Sequence, residues 1–247
     1  MKIDFSNKFV IVTGGTRGIG AAIVELLQQC NAEIIATGTN NKELERLNKV
    51  FEQKRTKYIH LDFASNDSVK NFLGHIAQKD RIGVLINNAG VNKIDSIHEI
   101  DENDWDWINN VNLRGPFLLT RAVANIMKDQ GYGKIINIAS IFGVVSKAKR
   151  ATYSTTKWGL IGLTKAIAHD LAPHNILVNA VSPGFVNTEL TRRILGEKEI
   201  ENLVDTIPQK RLADAKEIAK TVIFLASDHN TYITGQNIIV DGGFTSA

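Results

Sequence analysis

Apolar positions along the chain alternate between two periods. Short β-rich runs at Phe9–Thr13, Glu33–Gly38, Lys57–Leu61, Val84–Asn87, Lys134–Ser140, Ile176–Val181 and Gln236–Val240 have the length and composition of strands. Amphipathic stretches at Gly18–Cys30, Lys42–Lys54, Asp101–Asp129, Ala151–Ala172 and Asp214–Ser227 have helical spacing. Strand and helix in turn call for right-handed βαβ crossovers. The expectation is an α/β fold: a Rossmann-like doubly wound parallel sheet of about seven strands flanked by helices. No Pro/Ser-rich linker, repeat or low-complexity segment interrupts the pattern, so residues 1–247 form one domain. Asp101-Glu-Asn-Asp104 puts acidic side chains where a helix start has free N–H groups, and Gly115-Pro116 should bend the helix that follows.

Composition narrows the function classes. The 247 residues are 43% hydrophobic, enough for a substantial core, and carry 29 basic against 26 acidic side chains with no long basic block. Nucleic acid is not implied. The longest apolar-leaning run, Ile135 to Val145, is far short of the ~20 residues of a membrane helix, and the first residues lack an apolar signal core. A soluble cytoplasmic protein with no membrane partner is expected. The lone Cys30 has no intramolecular disulfide partner, and the six histidines are scattered without metal-ligand spacing, so no metal is expected.

The chemistry begins at Thr13-Gly-Gly-Thr-Arg-Gly-Ile-Gly20, where Gly14, Gly18 and Gly20 end a strand and open a helix. Missing side chains let the backbone approach a pyrophosphate, which the helix N-terminus attracts. The second strand ends Gly38-Thr39-Asn-Asn41 with no acid to accept from a ribose 2′-hydroxyl, and Arg17 offers a partner for a 2′-phosphate. NADP(H) is preferred on this ground, with NAD(H) the alternative. Asp62, after the third strand, suits either the adenine amino group or a helix cap.

Tyr153 and Lys157, at i and i+4, share one helical face. An ammonium beside the phenol is expected to favour phenolate and bring the group toward neutral pH. Ser140 ends an apolar run thirteen residues upstream. A buried Asn112 in Val111-Asn-Leu-Arg-Gly115 can simply bond to a backbone carbonyl.

Together with Asn87-Asn-Ala-Gly90, Pro183-Gly-Phe-Val-Asn-Thr188 and Val240-Asp-Gly-Gly243, these segments resemble the short-chain dehydrogenase/reductase family over essentially the whole chain. The resemblance implies a catalytic tetrad of Asn112, Ser140, Tyr153 and Lys157. It also implies cofactor contacts from Gly14, Thr16, Arg17, Gly18, Ile19 and Gly20, from Thr39, from Asp62 and Phe63, and from Asn88 and Gly90. Tyr153, Lys157, Pro183, Gly184, Val186 and Thr188 complete that set, the last two at the nicotinamide carboxamide. A homotetramer or homodimer built on the helices at 101–129 and 151–172 follows from the same likeness, with Ile126, Trp158 and Leu163 among the surplus apolar positions.

The overall pattern is most similar to 3-oxoacyl-[acyl-carrier-protein] reductases, which implies reduction of a 3-oxoacyl thioester or related β-oxo compound. A sugar or polyol dehydrogenase is the enzymatic alternative, and a dinucleotide-sensing scaffold the non-enzymatic one. Two departures stand out: Ser146-Lys-Ala-Lys-Arg-Ala-Thr152 before the tyrosine, and His174 where those reductases carry an arginine. Lys147, Lys149 and Arg150 either draw an anionic substrate or form a solvated loop. Segment 189–208 is expected to be a long loop closing over the substrate.

Overall fold

The computed structural model describes residues 2–52 and 55–246, without the side chains of residues 193, 194, 196 and 197. Seven strands form one parallel sheet: β1 (Phe9–Val12), β2 (Glu33–Gly38), β3 (Thr56–His60), β4 (Val84–Asn87), β5 (Gly133–Ile138), β6 (Ile176–Pro183) and β7 (Asn237–Val240). Their spatial order is β3-β2-β1-β4-β5-β6-β7. The order reverses direction between β1 and β4, leaving a crevice at the carboxyl edge of the sheet, the place where such folds bind ligands.

Side-chain alternation divides the interior in two. Val10 and Val12 point to one face with helices α1 (Gly18–Gln29) and α8 (Ala215–Ala226), while Ile11 points to the other with α3 (Asn66–Ile76), α5 (Gly115–Gln130) and α6 (Ala151–Leu171). The central strands are covered on both sides, which is why they read as nearly unbroken apolar runs. Between the layers runs a buried amide chain. Asn87 Nδ2 donates to Asn137 Oδ1 at 2.8 Å, and Asn137 Nδ2 donates to Thr164 Oγ1 at 2.8 Å, tying β4 to β5 and α6.

Three elements differ from the sequence reading. Helix α3 had no assignment; Ser65 caps it by accepting from Ser68 N at 3.2 Å. The expected helix over 101–129 is α4 (Glu102–Asn109), a π-helical turn at Asn110–Arg114, then α5. Pro116 explains the interruption, because it has no N–H to give the carbonyl of Asn112 four residues earlier. Segment 189–208 is not a loop: Glu189–Thr206 forms α7, whose start is capped by Thr188. Helix α2 (Asn41–Val50) ends before Lys54, which lies outside the described residues. The cap expected at Asp101 is present, its carboxylate accepting from Asn103 N.

Candidate active site

The turn from β1 into α1 is held open by a side-chain staple. Thr13 Oγ1 accepts from the backbone N–H groups of Asn88 and Ala89, both at 2.9 Å, and Asn88 Nδ2 donates back to the carbonyls of Thr13 and Gly14 at 2.9 and 3.0 Å. The strap after β4 thereby fixes the glycine loop after β1. A Cβ on Gly20 would lie 2.1 Å from Gly14 O and 2.5 Å from Asn88 Nδ2, so only glycine fits that turn. Gly14 and Gly18 adopt positive φ, 63° and 55°, a region that glycine enters without strain.

The loop leaves backbone amides at the N-terminus of α1 with no side-chain cap from Arg17. Arg17, Thr39 and Gly90 are exposed around it. A Cβ on Gly90 would stand 3.5 Å from Asn112 Oδ1 and 3.6 Å from Lys157 Nζ, so the missing side chain keeps a passage between cradle and tetrad. These features fit a dinucleotide: uncapped amides for the phosphates, an exposed arginine beside them, and glycines where its backbone-hugging portion would pass.

Ser140 ends the run of β5, and its Oγ accepts from Phe142 N at 3.1 Å. Tyr153 and Lys157 project from the first turns of α6, with Lys157 Nζ 5.6 Å from the phenol ring centroid. Lys157 is buried and donates to Ile138 O at 2.9 Å, and burial pulls its ammonium down to about 8. Tyr153 is half-buried. Burial pushes its phenol up, and the Ser140 hydroxyl and the Arg150 charge pull it partly back.

The expected acidification by Lys157 is therefore corrected. In the protein alone the phenol sits above its ordinary value, because desolvation outweighs its partners. Burial lowers the pKa of Lys157 as well, and its charge is not among those that act on the phenol. The nearby charge that acts on the phenol is Arg150.

Asn112 is wholly buried with its side chain committed. Oδ1 accepts from Val91 N at 2.8 Å, while Nδ2 donates to Val91 O at 2.9 Å and Thr156 Oγ1 at 3.2 Å. The backbone-bonding role is the one the amide fills. Its carbonyl has no α-helical donor, because Pro116 lacks an N–H.

A hydroxyl, a phenol and an amine thus meet beyond the end of β5, beside Gly90, an arrangement suited to protonating an oxyanion formed by hydride addition. A family model described as enoyl-(acyl carrier protein) reductase matches residues 14–245. The chain belongs to the short-chain dehydrogenase/reductase family. It is an oxidoreductase of that family, with the family's α/β fold. Among curated short-chain reductases, it is 39% identical to the 3-oxoacyl-[acyl-carrier-protein] reductase of Aquifex aeolicus, over 98% of this chain and 99% of that one. The reductase of the same name from Thermotoga maritima is also 39% identical, covering 96% and 97%. A solved gluconate 5-dehydrogenase from Burkholderia cenocepacia, in complex with NADP and tartrate, superposes with a TM-score of 0.92 at 31% identity, covering 100% and 98%.

On this short-chain reductase scaffold the remaining sequence candidates separate into open and committed groups. Thr16 and Ile19 line the loop half-buried, as do Gly184 and Thr188 after β6. Pro183 and Val186 are buried, Val186 through a bridge to Ala213. Asp62 spends one oxygen on Ala64 N at 2.9 Å, closing a turn, and the cap of the next helix is Ser65 instead. Phe63 is a core residue: its ring packs where a Cβ on Gly115 would come within 2.6 Å. Thr13 and Thr156 were missed, since a hydroxyl that staples two loops has no local signature in the sequence.

Proposed function

We propose that the protein reduces a carbonyl to a secondary alcohol with NADPH, its substrate a 3-oxoacyl thioester or related β-oxo compound. The observation that carries this reading is the grouping of Ser140, Tyr153 and Lys157 beside Gly90, in the strap that Thr13 ties to the glycine loop. NADPH, when bound, supplies the hydride. Ser140 donates to the substrate oxygen, and Tyr153 gives that oxygen its proton as negative charge builds there. Lys157 Nζ, beside the phenol, holds the nicotinamide ribose. Asn112 serves the proton path through its carbonyl.

Gly14, Thr16, Gly18, Ile19 and Gly20 would cradle the pyrophosphate, and Pro183, Gly184, Val186 and Thr188 would hold the carboxamide. Asn88 and Gly90 would border the adenosine, with the free oxygen of Asp62 and the backbone of Phe63 at the adenine. Exposed Arg17 and Thr39, with no acid at the end of β2, support NADP(H) over NAD(H). The reductase names of the relatives and the NADP of the Burkholderia neighbour support it too. That neighbour also favours a second reading, a sugar-acid or polyol dehydrogenase.

Exposed Trp105, Trp107, Phe117 and Trp158 on α4, α5 and α6, with half-buried Ile126 and Leu163, support a homotetramer or homodimer. A single monomeric species in sedimentation would refute that. No helix among the described residues is long and apolar enough to cross a membrane. A cytoplasmic location is the matching proposal. Separate titrations with NADPH and NADH, followed by NADPH oxidation with acetoacetyl thioesters and sugar acids, test the reading. Tighter NADH binding contradicts the cofactor assignment, and no oxidation with any carbonyl contradicts the reaction.

A further inference from the structure

The fold separates the three basic residues of the loop before α6. Lys147 and Lys149 are exposed, whereas Arg150 is 4% exposed. Its Nε and Nη1 are buried without a partner, and among the described residues no hydrogen bond reaches any nitrogen of the guanidinium. Phe142 offers its ring 5.6 Å from Cζ, and exposed Glu199 acts on the charge only from a distance. Neither supplies an acceptor. A buried ion with empty donors costs the folded chain stability, and burial lowers its pKa accordingly.

That cost is understandable if the missing acceptor arrives with the substrate. Arg150 lines a cavity of about 460 Å³ between residues 95–98 and 146–151. Its charge acts on the phenol of Tyr153, and Phe142 packs edge-on against that phenol with centroids 6.3 Å apart. The guanidinium and the proton donor therefore both pack on the Phe142 ring, within electrostatic reach of one another. Nε and Nη1 have no acceptor in the folded chain, and a guanidinium donor pair takes two oxygens side by side, the geometry of a carboxylate.

We propose that Arg150 binds a free carboxylate of the substrate, so that the carbonyl protonated by Tyr153 belongs to a short oxo acid. This rests on the carbonyl-reductase reading and narrows its substrate class. A neutral ester or thioester puts no negative oxygen pair before the arginine. Lys147 and Lys149 are exposed charges screened by solvent.

The test compares kcat/KM with NADPH for acetoacetate, methyl acetoacetate and an acetoacetyl thioester. Wild type should prefer the free acid. Arg150→Met should lower the acid-to-ester preference about 100-fold, chiefly through KM, as expected when a buried charge partner is removed. Arg150→Lys should keep part of the preference, and Lys147→Ala all of it. The melting temperature of Arg150→Met should not fall, since it loses a buried ion and no hydrogen bond. Malonate, a non-reacting probe, should bind wild type and be lost from Arg150→Met in calorimetry. Equal losses for acid and ester in Arg150→Met, a wild-type preference for ester or thioester, or no difference in malonate binding would each overturn the proposal. A wild type that reduces the ester but does not favour the acid refutes the Arg150 assignment alone. One inert toward all three compounds removes the carbonyl-reductase reading and this proposal with it.

Discussion

Lys157 shows what a burial site does to a charge. Its ordinary value is 10.5, and burial sets it at about 8 in the folded chain. Between those values the unfolded chain binds more protons than the folded one, so this group makes stability rise with pH from about 8 to 10.5. Below about 8 the full cost is present, about 3 kcal/mol. Lys157→Met removes that cost but also the bond to Ile138 O, a loss of about 1 kcal/mol. The variant should therefore be more stable than wild type by about 2 kcal/mol at pH 7. The difference should shrink as pH rises and reverse toward pH 10.5, where the cost of the buried charge is gone and the lost bond to Ile138 O remains. Urea denaturation at both pH values checks this, and a variant less stable at pH 7 contradicts it. The i, i+4 spacing made the pairing of Tyr153 and Lys157 legible. The sign of the phenol's shift was not, because desolvation depends on what the rest of the chain packs around that helix face.

Among the elements, the β1–α1 turn tolerates least. Gly20→Ala places a methyl 2.1 Å from Gly14 O, where backbone and the Asn88 staple must move together. NADPH binding should weaken by at least about 10-fold, the scale of a displaced polar contact set. Fluorescence titration measures it, and unchanged affinity would mean that the loop does not hold the phosphates. The buried chain from Asn87 through Asn137 to Thr164 works at the same scale. Asn137→Ala leaves the amide of Asn87 without its closest partner and opens a small void, costing about 2–4 kcal/mol. For a chain this long the melting temperature should drop by roughly 5–15 °C; a change within 1 °C in calorimetry would count against a structural role for this chain of amides.

The elements also show where periodicity stops being informative. All seven strands were legible because each is a short apolar run bounded by turn residues. Segment 189–208 has too little amphipathic contrast to distinguish helix from loop, and its helix depends on the Thr188 cap. The π-turn before Pro116 was foreshadowed only as a bend, since a missing donor tells where a helix is disturbed and not how it relaxes.

Across the whole molecule, the doubly wound order places the ends of β1, β4, β5 and β6 along one edge, so four segments distant in sequence share a crevice. The glycine turn and the grouping of Ser140, Tyr153 and Lys157 were legible as motifs. Arg150 was visible only as one of three loop charges, because burial and unpaired donors belong to the folded chain. The central claim is that the phenol of Tyr153 delivers the proton in a hydride reduction, and the direct measurement is NADPH oxidation with a β-oxo substrate by wild type and Tyr153→Phe. Loss of the hydroxyl should lower kcat by about 10²–10⁴-fold while NADPH affinity stays within a few-fold. A phenylalanine variant that turns over at the wild-type rate would contradict the account.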